Sequence, residues 1–194
     1  MSEAILAIEW SSTRLSVAWN ISGEVTEQVL ELKRFQAEVA LPFLEGFLAE
    51  LPMFTEIRIG RGPGNYSGIR QSLAWAFGYV APGGTDLKVY SSGVAQAARI
   101  SSEIEKPFAV LGDARRGVWW GRVFGNGKDD WRLQPPEAWA EELGEMPVFS
   151  QEAARLGSAA FEVIADYPAA KDLLLLPDDF PEEESLPLYL HPAV

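Results

Sequence analysis

The segment Gly60-Arg61-Gly62-Pro63-Gly64-Asn65-Tyr66-Ser67-Gly68-Ile69-Arg70 is the sharpest place in this sequence for chemistry. Gly60, Gly62, Gly64 and Gly68 admit backbone angles closed to other residues and let a ligand or a second backbone come close. Pro63 fixes one turn, and Asn65 or Ser67 is placed to cap a helix beginning near Ile69. Strand, glycine turn and helix N-terminus in succession make an anion site, because free N–H groups and the positive end of the helix dipole point outward. No Lys follows the glycines, and GxGxxG spacing is absent, so neither a Walker loop nor a dinucleotide turn is present. Local chemistry leaves two readings: a phosphate cradle, or a tight connection that lets the helix pack close to its sheet.

Two other segments carry polar groups in suggestive order. In AIEWSSTRLSVAW, Glu9 precedes Ser11, Ser12 and Thr13, a set suited to a metal-bound phosphate or to an ordinary β-turn with a solvated glutamate. Trp10 is bulky where phosphate oxygens would approach the backbone. In GDARRGVWWGRVF, Asp113 can accept backbone hydrogen bonds within a turn and Gly117 can take a left-handed conformation. Arg115 and Arg116 either present a guanidinium to a phosphate or carboxylate or stand solvated on a plain hairpin. Trp119 and Trp120 alternate across a strand, so one of the pair is expected on the surface for a partner. Glu9, Ser11, Asp113 and Arg115 form the candidate ligand-binding set. No residue is assigned a catalytic or metal-ligating role.

Composition removes several chemistries. There is no Cys among the 194 residues, and His191 is the only His. Thiolate nucleophiles, thiolate metal sites, a Ser-His-Asp triad and His-rich zinc sites are thereby set aside. The net charge of −12 repels nucleic acid unless a local basic patch overrides it. The first residues lack a basic leader, and no apolar run reaches membrane-spanning length, so a cytoplasmic location and no membrane association are expected.

The apolar pattern supplies the elements that must position these residues. Ile5 to Ile8, Leu15 to Trp19, and Val25 to Leu32 read as three antiparallel strands joined by short turns. Ala37 to Pro52 reads as a helix, with Val39, Phe43, Phe47 and Leu51 at helical spacing and Pro42 and Gly46 inside it. Glu56 to Gly60 is a strand, Ile69 to Val80 a helix, and Ser92 a cap for a helix over Val94 to Ile100. Phe108 to Leu111 and Val118 to Phe124 are strands, and helices follow at Pro136 to Leu143 and Ala153 to Phe161. Asp178, Asp179, Glu182, Glu183 and Glu184 read as a solvated acidic segment, and PLYLHP as an apolar piece docked on the body. The order predicts an α/β protein of the actin-like (ribonuclease-H-like) class, with mixed sheets, flanking helices and two small lobes. Pattern alone leaves flavodoxin-like and ferredoxin-like arrangements open. The expected lobes are 1–104 and a shortened 105–194, and no internal repeat is visible in the residues.

Together these segments resemble the TsaB family, also called YeaZ, the actin-like partner of the tRNA threonylcarbamoyladenosine enzyme. ILAIEWSSTRLSVAW is similar to the family's ILAIDTST hairpin, and EVALPFLEGFLAEL to its LLP-containing first helix. IRIGRGPGNYSGIRQSLAWAFGYV is similar to its VGRGPGSFTGVRIG signature and following helix. VLGDARRGVWWG resembles its ALDAR hairpin, and LPLYLHP its terminal PxYLR. The resemblance implies a non-catalytic scaffold that binds a TsaD-like catalytic subunit, with a TsaE-like ATPase as a further partner. It also implies a homodimer when alone, and contact with tRNA only through the complex. The implied interface comprises Pro42, Phe43, Gly46, Gln71, Ala74, Trp75, Gly78 and Tyr79. No cofactor is expected on the isolated chain, and ATP or ADP with Mg only in the complex. Glu9-Trp10 replace the family's Asp-Thr, Gln36-Ala37 its His-Ser, and no Glu follows Gly117. The alternative function is an actin-like nucleotide-dependent hydrolase or kinase, or a protease-like relative, acting by itself through Glu9 and the glycine turn.

Overall fold

The computed structural model describes residues 4–32, 37–127, 130–156, 162–181 and 183–190. Gln36, Glu182, His191 and the end of the helix expected over Ala153 to Phe161 lie outside the described residues, as does the Phe47 side chain. The chain falls into two compact units, Met1–Arg99 with Pro168–Leu188, and Ile100–Tyr167 with Tyr189–Val194.

In the first unit, β1 (Ala4–Glu9), β2 (Arg14–Ile21) and β3 (Glu24–Glu31) form an antiparallel meander. After α1 (Ala37–Leu48), β4 (Glu56–Gly60) pairs parallel to β1. After α2 (Tyr66–Val80), β5 (Asp86–Tyr90) pairs parallel to β4. The sheet order is β3-β2-β1-β4-β5. Strand β1 is buried along its whole length, which explains its unbroken apolar run AILAIE: helices cover both faces. Leu6 and Ile8 pack with Ile57, Leu44 and Leu73, which places α1 and α2 on one face. Ala7 and Ala18 pack with Ala95 of α3 (Ser92–Glu103) and Leu173 on the other.

In the second unit, β6 (Phe108–Asp113), β7 (Trp119–Phe124) and β8 (Arg132–Gln134) form another antiparallel meander. After α4 (Pro136–Leu143), β9 (Val148–Ser150) pairs parallel to β6. After α5 (Ala153–Leu156), β10 (Val163–Ala165) pairs parallel to β9. The order β10-β9-β6-β7-β8 repeats the first sheet strand for strand, with β6 in the place of β1. Each unit is therefore a ribonuclease-H-like sheet, and two in tandem make the actin-like fold. The repeat is carried by pairing and hydrophobic pattern, not by residue identity, so it is invisible in the residues themselves.

The second unit is not the continuous stretch 105–194 that was expected, because a segment within it belongs to the first unit. Residues 168–188, including α6 (Ala170–Leu174), return to the first unit. Beside its apolar contacts with Ala7, Ala18 and Tyr90, the segment meets Arg58 of β4, whose side chain is 1% exposed. Its guanidinium donates to the carbonyls of Leu173 (3.2 Å) and Leu176 (2.7 Å) and pairs with Glu56 (2.6 Å) and Asp178 (2.6 Å). A buried cation needs such partners, and the returning segment supplies three of them. The acidic stretch is thus not merely solvated: Asp178 and Glu183 serve as counter-ions, the latter to Arg61.

Candidate functional site

Position 60, the last of β4, must be glycine because Glu9 takes the space beside it. The Glu9 carboxylate and the Ser92 hydroxyl occupy the volume that a side chain at position 60 would fill. Glu9 is 1% exposed, not solvated as a plain turn would leave it. Its Oε1 accepts from the Ser11 amide at 2.7 Å. Burial pushes its carboxyl above the ordinary carboxylate range, and hydrogen bonds from Ser11 and Ser92 offset part of that rise.

Beyond Gly60 the turn is tied to its own chain on several sides. The Ser92 hydroxyl accepts from the Gly62 amide at 2.9 Å, and the Gly62 carbonyl accepts from the Ser92 amide and the Ser91 hydroxyl. Ser91, one residue before the expected Ser92, caps α3 by accepting from the Val94 amide at 3.4 Å. Gly62 and Gly64 take positive φ, and the Gly62–Pro63 bond is cis. Asn65 caps α2, accepting from the Gly68 amide at 3.5 Å, so the helix opens at Tyr66 and not at Ile69. The Asn65 amide donates to the Ser11 carbonyl at 2.6 Å and its Nδ2 to the Ser12 carbonyl at 3.2 Å. Gly68 is required because the Trp10 backbone and ring fill the place of a side chain there.

These contacts decide what the hairpin can hold. Glu9 points inward under Gly60, and Trp10 fills the approach to the first turn of α2. The residues present do not fit a magnesium-bound phosphate at this hairpin, because the carboxylate is enclosed and the backbone approach is closed by the indole. Ser67 is exposed beside them, and Arg70 lies over the Tyr66 ring at 5.3 Å.

The eight residues of the implied interface separate into two groups. Pro42, Gly46, Ala74 and Gly78 are exposed. Phe43, Trp75 and Tyr79 are half-buried and pack against the chain's own core, with Trp75 and Tyr79 rings 5.1 Å apart, and Gln71 is half-buried too. Gly46 and Gly78 face open space, with nothing within 4 Å of an added Cβ. Tyr66 and Phe77 are 44% and 46% exposed on α2. Phe77 was not foreseen as part of this face, although its spacing from Ala74 and Tyr66 placed it on one side of the helix.

In the second unit, Asp113 and Arg115 come together at the β6–β7 hairpin. Asp113 accepts from the Arg115 amide at 2.7 Å and pairs with the Arg115 guanidinium at 3.3 Å. Arg155 lies 3.4 Å from the same carboxylate. Arg115 and Arg116 are exposed and take positive φ, 68° and 55°, as Gly117 does. Glu152, which the sequence did not single out, accepts from the Asp113 amide at 2.6 Å, and burial raises its carboxyl above the ordinary range. Neither Trp119 nor Trp120 is offered to a partner: they are 8% and 7% exposed. Trp119 enters the core beside Trp139, and Trp120 lies over Gly112 and edge-on to Trp131 at 5.6 Å. Glu9 and Ser11 belong to the first unit, and Asp113 and Arg115 to the second.

No helix among the described residues is long and apolar enough to cross a membrane. No protein-family model matches the chain, and no curated protein matches it significantly. Among solved structures, YeaZ from Pseudomonas aeruginosa is 21% identical, with a TM-score of 0.75, over 97% of this chain and 100% of that one. A second, described as an uncharacterized protein with similarity to peptidase YeaZ from the same organism, is 22% identical with the same TM-score and coverage. Over almost its whole length, therefore, this chain has the two-unit actin-like fold of those Pseudomonas aeruginosa proteins.

Proposed function

We propose that this chain is a TsaB (YeaZ)-type scaffold subunit, non-catalytic by itself, that docks through α1 and α2 on a TsaD-like catalytic subunit in threonylcarbamoyladenosine modification of tRNA. The observation that carries the reading is the pair Gly46 and Gly78. Each is an exposed glycine inside a helix with empty space where a side chain would go. Glycine in a helix interior costs about 1 kcal/mol against alanine, and none of the described residues requires it at either place. Close approach of helices from a second protein does require it. Ala74 extends the low surface between them, and exposed Tyr66 and Phe77 provide aromatic anchors of the kind that dominate interfaces. The motif resemblance adds the identity of the partner, and the shared fold is consistent with it. In this reading a TsaE-like ATPase joins the complex, tRNA and any Mg-nucleotide are held by the assembly, and the isolated chain self-associates through the same helices in the cytoplasm.

The test is co-purification with the TsaD-like protein of the same organism, followed by threonylcarbamoylation of tRNA. Ala74→Arg and Gly78→Arg are expected to lower partner affinity at least tenfold, about 1.4 kcal/mol or more, with an unchanged circular dichroism spectrum. A catalytic subunit that neither binds the chain nor needs it refutes the assignment. Micromolar Mg-ATP binding by the isolated chain, abolished by Glu9→Ala, favours the enzyme alternative instead.

A further inference from the structure

The first turn of α2 is fastened to the β1–β2 hairpin. The Asn65 amide donates to the Ser11 carbonyl at 2.6 Å, and Asn65 Nδ2 donates to the Ser12 carbonyl at 3.2 Å. Trp10 lies so close to Gly68 that no side chain fits between them. Asn65 is the N-cap of α2, and Tyr66, the next residue, is 44% exposed. Glu9 stands behind these contacts. Its side chain is enclosed and accepts from the Ser11 amide at 2.7 Å, so it fixes the residue whose carbonyl receives Asn65. Its surroundings suit a neutral carboxyl. The hairpin offers it the Ser11 amide and hydroxyl, α3 offers the Ser92 hydroxyl, and β4 offers only Gly60, whose missing side chain leaves the carboxyl its space. No cation or second carboxylate among the described residues is set against it.

We infer that Glu9 is a positioning residue for the docking helix: by fixing the β1–β2 turn it holds Asn65 and the first turn of α2 in place. Neutral, the carboxyl sits in its enclosure at little cost. Ionised, it is a buried charge without a counter-ion, and water entering through the turn relieves it. The first turn of α2 therefore loosens as pH rises through the value at which folded Glu9 ionises. That this helix docks a partner rests on the function proposed above, whereas the coupling of Glu9 to α2 does not.

The experiment is amide hydrogen exchange of the full-length isolated chain between about pH 5 and about pH 8, each rate compared with that of the same amide in an unstructured peptide. In the wild type, protection at Ser11, Asn65 and Gly68 is expected to fall about tenfold or more across that range, the equivalent of one unit in a pKa. Glu9→Gln keeps the accepting oxygen and removes the charge, so its protection at the same amides is expected to stay constant. Glu9→Ala is expected to lose that protection at both ends of the range, and Gln to restore it. Protection at Asn65 that does not change with pH in the wild type, or that falls equally in Glu9→Gln, overturns the inference. Because exchange is read without a partner, its outcome is separate from that of the docking proposed above. With the catalytic subunit present, wild-type affinity is expected to fall relative to Glu9→Gln by about the same factor, tenfold or more, over the same pH range. A constant ratio of the two affinities also overturns the inference.

Discussion

Glu9 shows how much one residue's meaning depends on its surroundings. A glutamate at a strand end beside three hydroxyl residues suggests a ligand for a metal-bound phosphate. In the structure it is enclosed under Gly60, and burial holds its carboxyl above the usual range. The raised value has a consequence with a definite sign. In the unfolded chain Glu9 ionises near its ordinary value of 4.5, whereas in the folded chain it ionises at higher pH. The folded state therefore binds the proton more tightly, and its stability advantage is full below the unfolded value and lost as pH rises through the folded one. Glu9→Gln keeps the oxygen that accepts from Ser11 and removes the charge. It is expected to be more stable than the wild type at about pH 8, with the difference shrinking toward about pH 5, as read from urea midpoints. A variant less stable than the wild type at the higher pH would show that an ionised Glu9 is needed.

At the scale of elements, α1 and α2 each have a face spoken for and a face left open. Leu44, Leu73 and Ala76 pack on the sheet, and Phe43, Trp75 and Tyr79 lie at the margin of that core. Gly46 and Gly78 sit on the open side, where alanine meets no atom within 4 Å. Gly46→Ala and Gly78→Ala are each expected to stabilise the isolated chain by about 0.5–1 kcal/mol while weakening association with the catalytic partner. Thermal midpoints and partner affinity measured on the same preparations check both halves. Greater stability with unchanged affinity would place the docking face elsewhere. The β6–β7 hairpin differs from the β1–β2 hairpin in the same respect: Asp113 and Arg115 remain half-buried or exposed, whereas Glu9 and Trp10 are enclosed.

At the scale of the molecule, the returning segment joins residues 168–188 to the unit built from the first 99 positions. Arg58 makes this closure, since its guanidinium serves Leu173, Leu176 and Asp178 as well as Glu56. Removing one member of such a buried set costs about 3–5 kcal/mol, because the remaining groups stay desolvated and unmet. Arg58→Met is expected to lose that much stability and to raise hydrogen exchange in α6 ahead of the β-strands. Arg58→Lys should recover only part, because an ammonium lacks the fork that reaches carbonyls and carboxylates together. Unchanged exchange in α6 would mean that the segment is held by its apolar contacts with Ala7, Ala18 and Tyr90 alone.

By itself the sequence determined the meander, the strand EIRIG, a helix beginning at Ala37 (expected to Pro52, observed to Leu48), the helix over Pro136 to Leu143, and the glycine turn as a strand-to-helix junction. These follow from periodicity and turn chemistry, which act between residues close in sequence. It did not determine where Glu9, Trp119 and Trp120 would lie, or that Asp178 and Glu183 would neutralise buried arginines. Alternation along a strand says that two side chains oppose each other, but not that both faces are covered, and an acidic run looks solvated until a distant cation is found against it. Nor could the residues disclose that the second sheet repeats the order of the first. Burial and ion pairing join positions more than a hundred residues apart, as between Arg58 and Asp178 (|i−j| = 120), and only the tertiary structure brings these together.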